Sequence, residues 1–549
     1  MPGEAAGGGG ARLAGPSPVL PDPPGSPPPT SVHLQRLVRS GGLSVLGAAV
    51  SAVAGVALVA VLTQGLSRDV AGTIFASTAL FLIATAVVQL GTEVGLVRYL
   101  PMQLATGRVQ DLRPTLRTAL VPVAALAVVV SLCAALAAPV VAPLVAGEEH
   151  ADTVTAQIRV LAAFLPLAAL YNVVLAATRG CRTMRPTVLV EALGRHLAQL
   201  LLVAVAALGG LSAAAVVLAW SVPYVLGLVV ATWWLLRLLR RAGTASEPVE
   251  AVVSAEADGP APASSADLSS FWRFTAPRAV ANIAQTLLKR SDIVLVAALR
   301  SPAEAALYTA ATRFVVLGQL GVQALQQALA PQLSALFARG ERRAAQEVYE
   351  TATAWSIMLA WPVYLGCAVL APLLLGLFGA GYDGAAAVVV ILSVAMLMAT
   401  ASGSVDTVLL MSGRSWLSLA NVGAALTINL GLNVLLIPWL GIVGAALSWA
   451  AAIVVRNALP LIEIRYLLHM TPLGAGTVWV GASALVCLGL PAGALRVLGA
   501  PSQVLVGVLV LGLLGYGGLL WVGRERVKLA ALAQTVRRGR RGRAAARRA

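Results

Sequence analysis

An all-α protein threaded many times through a membrane is what this sequence predicts, and three observations predict it. Of 549 residues, 58% are hydrophobic and only 11% charged. Apolar windows of about 20 residues, the length a helix needs to cross a bilayer, recur along nearly the whole chain. Arginines collect in every second loop between those windows, as they do on the cytoplasmic side of membrane proteins. Helices are the expected element because they satisfy their own backbone groups in lipid.

The chain opens on "MPGEAAGGGGARLAGPSPVLPDPPGSPPPT", too rich in Pro and Gly for a signal peptide or a span, so residues 1–39 read as a disordered cytoplasmic tail. A first group of six spans occupies 40–236, at about 42–64, 73–97, 117–142, 157–178, 187–208 and 212–236. The stretch 237–270, containing "RRAGTASEPVEAVVSAEADGPAPASSADLSS", has no apolar periodicity and reads as a flexible cytoplasmic linker. Six more spans fill 271–466, at about 274–298, 304–329, 352–376, 385–411, 416–437 and 442–464. Two extra spans follow in 467–523, at about 474–496 and 503–522, and 524–549 is a basic cytoplasmic tail. That makes about fourteen transmembrane helices.

The loops test this order independently. Arg36 and Arg39 precede the first span; Arg108, Arg113 and Arg117 follow the second, and Arg179, Arg182 and Arg185 the fourth. Arg237, Arg240 and Arg241, then Arg339, Arg342 and Arg343, then Arg414, Arg465 and the tail continue the alternation. The opposite loops, "GEEHADT", "GAGYDGA" and "LGAPSQ", are poor in positive charge. Both termini are therefore placed in the cytoplasm.

The two groups of six also resemble each other. Phe75 falls on Tyr308 and Gly107 on Gly340 at an offset of 233, Arg182 on Arg414 at 232, and Gly210 on Gly441 at 231. An even number of spans per repeat gives both halves the same orientation, with the site expected between two pseudo-symmetric bundles.

Charge and composition exclude several function classes. A net charge of +16 suggests nucleic acid in a soluble protein, but here the arginines sit in loops and tail, so the membrane surface is the partner and nucleic acid is not. The excess of alanine and arginine is a coding bias of GC-rich bacterial genomes. Neither Lys289 nor Lys528 is followed by Ser or Thr, which excludes a phosphate loop of the Gly-Lys-Ser/Thr kind. Cys133, Cys181, Cys367 and Cys487 lie far apart, and no pair among His33, His150, His196 and His469 has metal spacing. No enzyme, cofactor or metal site is expected.

The unusual span is the seventh. Arg278, Asn282, Gln285, Lys289 and Asp292 stand 4, 3, 4 and 3 apart, within a stripe about 80° wide, with Arg290 on its flank. Charges in a bilayer need water or partners. One reading is a structural ion pair of Lys289 or Arg290 with Asp292; the other is the wall of a polar cavity. The first half has Val45, Val56, Ala57 and Val59 at the matching positions, and a purely architectural need would recur in both repeats. Other polar positions fall on further spans: Thr85, Gln89 and Glu93 on the second; Glu191, Arg195 and Gln199 on the fifth, with His196 beside them as packing; Arg313, Gln319, Gln323 and Gln326 on the eighth; Asp406 on the tenth.

"NLGLNVLLIPWLGIVGAALSWA", with Asn433, Pro438, Gly441, Gly444, Ala445 and Ala446, and "SDIVLVAALRSPAEAALYTAATRF", with Asp292, Tyr308 and Arg313, resemble the polysaccharide transporter branch of the multidrug/oligosaccharidyl-lipid/polysaccharide (MOP) flippase superfamily. The resemblance covers roughly residues 35 to 525. It implies two bundles around a polar cavity, and as substrate a sugar on a polyprenyl pyrophosphate carrier moved across a bacterial plasma membrane. It departs from the pattern in that Lys289 and Arg290 precede the Asp, whereas many relatives carry a basic residue after it. The expected pyrophosphate contacts are Arg278, Lys289 and Arg290, because Arg grips phosphate with two bonds at once. Implied partners are membrane lipids, a coupling H+ or Na+, and the glycan polymerase and glycosyltransferases of the same pathway. Two other readings stay open: a cation-coupled multidrug or metabolite antiporter, which wants uncompensated acids, and a non-transporting membrane scaffold.

Overall fold

The computed structural model describes residues 30–244 and 268–528. Its first bundle comprises α1 (Thr30–Gly65), α2 (Arg68–Val88), α3 (Thr92–Ala105), α4 (Leu112–Ala146), α5 (Ala151–Gly180), α6 (His196–Leu208), which continues a π-helical stretch Thr187–Arg195, and α7 (Ala213–Thr244). The second comprises α8 (Leu268–Leu299), α9 (Pro302–Ala338), α10 (Arg342–Val369), the short α11 (Ala371–Leu375), α12 (Ala386–Ala401), α13 (Val405–Met411), α14 (Ser415–Leu440) and α15 (Ile442–Leu468). The C-terminal pair is α16 (Ala475–Ala484) running through a π-helical stretch into α17 (Leu490–Val497), then α18 (Ser502–Val522).

Among the described residues, thirteen helices are long and apolar enough to cross a bilayer. The fourteenth span is α8, which matches them in length at 32 residues and carries Arg273, Arg278, Lys289, Arg290 and Asp292. The repeat is visible in the packing. α1 lies against α6 as α8 lies against α14, α5 against α7 as α12 against α15, and α4 against α5 as α10 against α12. The C-terminal helices pack on α10 around Ile357, Leu365, Val480, Leu488 and Leu509.

Local chemistry sets the ends of the helices. The Ser67 hydroxyl accepts the Val70 N–H at 3.3 Å and starts α2. The Ser301 hydroxyl accepts the Glu304 N–H at 3.2 Å, with Pro302 at the first turn of α9, where its missing N–H costs nothing. Three expected spans are interrupted, the ninth briefly at Leu370 between α10 and α11. The second, read as continuous over 73–97, breaks at Leu90 and Gly91, both at positive φ (52° and 69°), so Glu93 sits in the first turn of α3 and off the stripe of Thr85 and Gln89. A leucine at positive φ carries no sequence signal, since only the glycine beside it is comfortable there. The tenth breaks between α12 and α13. α1 reaches back to Thr30, into the stretch expected as tail, and α7 runs on to Thr244. The remaining tail and linker expectations, on 1–29, 245–267 and 529–549, lie outside the described residues.

The bundles meet where α1 and α2 face α8 and α9. At the end opposite the basic loops, Gln64 Nε2 donates to the Leu377 carbonyl at 2.7 Å and Arg68 Nη2 to the Ala380 carbonyl at 2.8 Å. There Gly72 presses so closely on Pro302 that an added Cβ would stand 1.7 Å from its carbonyl oxygen. At the other end α3 lies along α8: Gly91 and Gly95 abut Thr275, Ala279 and Phe271, and the Tyr99 hydroxyl donates to the Ser270 carbonyl at 3.2 Å.

Candidate functional site: a cationic wall between the bundles

Leu288 of α8 is buried against Ala425 of α14 and Ala452 of α15. This apolar contact fixes the height of two cations: Lys289, next along α8, and Arg456, one turn beyond Ala452 on α15. Lys289 is exposed and Arg456 half-buried, and Lys289 lies within electrostatic reach of Arg456 and Arg290. Arg290 in turn reaches Arg313, eleven residues into α9, and Tyr224 on α7 of the first bundle. Among the described residues none of these four cations has a carboxylate within ion-pair distance.

Asp292 is placed differently from the sequence reading. It is 2% exposed and accepts from neutral donors: the Tyr308 hydroxyl to Oδ2 at 2.9 Å and Asn433 Nδ2 to Oδ1 at 2.6 Å. Asn433 Nδ2 also reaches Asn429 Oδ1 at 3.2 Å, while Asn433 Oδ1 and Asn429 Nδ2 have no hydrogen-bond partner among the described residues. Asp292 therefore neither lines the exposed part of the stripe nor pairs with Lys289 or Arg290. A 3-4-3 spacing marks one helix face, and that face turns from open space to a polar neighbour where α14 crosses α8. Spacing alone cannot distinguish the two.

Arg278 does not join Lys289 and Arg290. Eleven residues of continuous helix separate them, a rise of about 16 Å, and no single pyrophosphate spans that length. Its guanidinium stacks 4.3 Å from the Phe274 ring centroid, and Arg98 of α3 lies 4.2 Å from the same ring. Asn282 and Gln285 fall between the two cation sites, both half-buried.

The first bundle holds Arg195 in place. Its Nη1 donates to Gln199 Oε1 at 3.0 Å, its Nη2 lies 3.8 Å from Glu191 Oε1, and its guanidinium lies 5.1 Å from the Tyr224 ring centroid. Tyr224 is one of an aromatic group with Phe81, Trp220 and Tyr171, with neighbouring centroids 5.6 to 5.9 Å apart. His196 Nδ1 is 2.9 Å from the Glu191 carbonyl. Glu93 is half-buried, within electrostatic reach of Arg179 and Glu191. Asp406 stands apart, on α13, accepting from the Ser418 hydroxyl; the nearby acid Glu463 accepts from Asn421 at 2.8 Å. Gln319 contacts Met396 Sδ, and Gln323 is exposed.

The sequence reading passed over Arg456 and the aromatic group. A lone arginine inside "AAAIVVRNALPLI" is itself a signal by the cost of burying charge in a span. The aromatics carry none, because Tyr and Trp in spans are ordinary packing residues until a cation is placed on them.

Comparisons with known proteins bear on this arrangement. Residues 37–337 match the polysaccharide biosynthesis protein family. A probable low-salt glycan biosynthesis flippase, Agl15 of Haloferax volcanii, is 25% identical over 198 residues; the match covers 35% of this chain and about two fifths (40%) of that relative. Among solved structures, the lipid II flippase MurJ in an inward closed conformation superposes with a TM-score of 0.69 at 10% identity, over 87% of this chain and 98% of that one. An inward-facing multidrug resistance MATE transporter of the MOP superfamily gives 0.58 at 15% identity, over 76% and 95%. A MOP transporter from Pyrococcus furiosus, described by a reversed polarity of its binding pocket, gives 0.55 at 15%, over 80% and 98%. These likenesses show a shared fold, and the family match spans more than half of the sequence. The chain belongs to the polysaccharide biosynthesis protein family, and its many apolar helices take the multi-pass fold of the flippase and transporter structures above.

Proposed function

We propose that the protein flips a polyprenyl-pyrophosphate-linked oligosaccharide, or a related cell-envelope lipid precursor, from the cytoplasmic to the outer leaflet of a bacterial plasma membrane. The observation that carries this is the group Lys289, Arg290, Arg313 and Arg456: four cations on α8, α9 and α15, none with a carboxylate within ion-pair distance among the described residues. Gathering uncompensated cations inside a bundle is costly, and a multiply charged anion offsets that cost with charge-assisted hydrogen bonds. Asn282 and Gln285 then meet the sugars, and the prenyl chain stays in lipid between the bundles. Alternating access follows if the contacts of Gln64, Arg68 and Gly72 at the outer end part while those of α3 and α8 hold. Asp292 is the group suited to a coupling H+ or Na+, being a buried carboxylate beside an Asn433 oxygen that lacks a partner among the described residues.

A second reading, cation-coupled extrusion of drugs or metabolites, draws support from Glu93, half-buried without a hydrogen bond or ion pair among the described residues. Proteoliposomes distinguish the two. Purified protein is expected to move a fluorescent polyprenyl-pyrophosphoryl sugar between leaflets, read by quenching from outside, and to leave a cationic dye where it is. Dye transport without lipid movement overturns the proposal in favour of the second reading.

A further inference from the structure

The cationic residues of α8 form two sites rather than one, and the one nearer the basic loops lies on the seam between the bundles. Phe274 stands about 9 Å along α8 from Leu268, at the end of the molecule that carries the basic loops. Arg98 from α3 and Arg278 from α8 both pack on its ring, at 4.2 and 4.3 Å from the centroid. Their guanidinium carbons are therefore at most about 8.5 Å apart, twice that common distance. Stacking on a ring uses the face of a guanidinium and leaves its N–H groups free to donate in the plane. Neither arginine makes a hydrogen bond or ion pair among the described residues, and both are exposed. Two like charges held this close without a counter-ion repel, and a phosphate at the edge of the Phe274 ring, reached by in-plane N–H groups of both guanidiniums, offsets that repulsion with charge-assisted hydrogen bonds.

We propose that Arg98 and Arg278, held on Phe274 across the seam, are a separate docking site for the phosphates of a polyprenyl pyrophosphate lipid, occupied before the head group moves to Lys289 and Arg290. This rests on the function proposed above. Occupancy joins α3 to α8 where Gly91, Gly95 and Tyr99 already touch that helix, so binding at the rim strengthens the closed seam. An anion at the rim and one in the chamber are about 16 Å apart along α8, too far for one head group to serve both at once.

The test uses the full-length protein in phosphatidylcholine nanodiscs, with geranylgeranyl pyrophosphate as probe and association and dissociation rates read by surface plasmon resonance. Arg98→Gln and Arg278→Gln are each expected to slow association roughly tenfold with little change in dissociation, while Lys289→Gln with Arg290→Gln speeds dissociation. Arg98→Lys, which keeps the charge, is expected to retain most of the association rate and to exclude misfolding as the cause. Competition by inorganic pyrophosphate supports the site, because it reads head-group phosphate. Nanodiscs containing phosphatidylglycerol that erase the difference between parent and Arg98→Gln overturn it, because the site then holds ordinary phospholipid. Unchanged association in both Gln variants also overturns it, leaving the proposed function standing if the Lys289 and Arg290 pair still matters. A parent protein that does not bind the probe sinks both.

Discussion

Neutralising Lys289 and Arg290 together to Gln separates substrate binding from architecture. If both cations hold pyrophosphate, the double variant loses two charge-assisted contacts of roughly 1.5–3 kcal/mol each. Lys289 is exposed, so solvent screening favours the lower end, about 3 kcal/mol in total, or roughly a hundredfold in affinity. The change works the other way on insertion, since each cation removed from a span relieves about 2.5–3.5 kcal/mol on insertion scales. Cells are therefore expected to contain normal amounts of the variant, judged by immunoblot, while the lipid-linked precursor accumulates on the inner leaflet. Asp292 enters as the control. It is held by Tyr308 and Asn433 rather than by cations, so adding Asp292→Asn is expected to restore nothing. Should protein and export fall together and both recover with Asp292→Asn, the cations are structural counter-ions and the reasoning fails.

Further expectations follow from the same geometry. Arg456→Gln is expected to weaken pyrophosphate lipid binding tenfold or more at unchanged abundance, measured as above; parent-like binding removes Arg456 from the site. Asn433→Leu takes a donor from a buried carboxylate and is expected to lower stability by about 1.5–3 kcal/mol, seen as a reduced Tm in detergent. With Cys133, Cys181, Cys367 and Cys487 replaced, cysteines at Gln64 and Leu377 are expected to cross-link readily, and Gly72→Ala to abolish that cross-link, since its Cβ cannot coexist with the Pro302 carbonyl at 1.7 Å. Cysteines at Glu149 and Asp383 are expected to label from outside the cell and one at Arg342 only after permeabilisation; outside labelling at Arg342 refutes the assigned orientation.

What could be read from the sequence divides along physical lines. Span number, the twofold repeat and the charged α8 depend on hydropathy summed over about 20 residues, so they survive the loss of all local detail. The breaks at Leu90–Gly91 and between α12 and α13 depend on one or two backbone angles, and an apolar window averages over them. The candidate site was partly legible. Lys289, Arg290 and Arg313 were found because charge in a span is costly wherever it points. Their separation from Arg278 follows from helix rise alone and was available in the sequence. The partners of Asp292 were not, because Tyr308 stands 16 positions away on α9 and Asn433 141 positions away on α14, and only packing brings them to the carboxylate.

On the proposed function, the asymmetry between the repeats constrains how the bundles move. α1 and α8 correspond, yet positions 45, 56, 57 and 59 are apolar where α8 carries Arg278, Lys289, Arg290 and Asp292. The first bundle answers instead with aromatic rings, Tyr224 among them, already occupied by its own Arg195 at 5.1 Å. An anion held on the proposed cations thus belongs to the second bundle and faces a wall in the first whose charge is internally balanced by Glu191. When the bundles rock, an anion gripped equally by both would oppose their separation; one gripped from a single side does not. On the proposed reading, placing the free cations of the chamber on one repeat lets it bind its substrate firmly without binding the two halves together there.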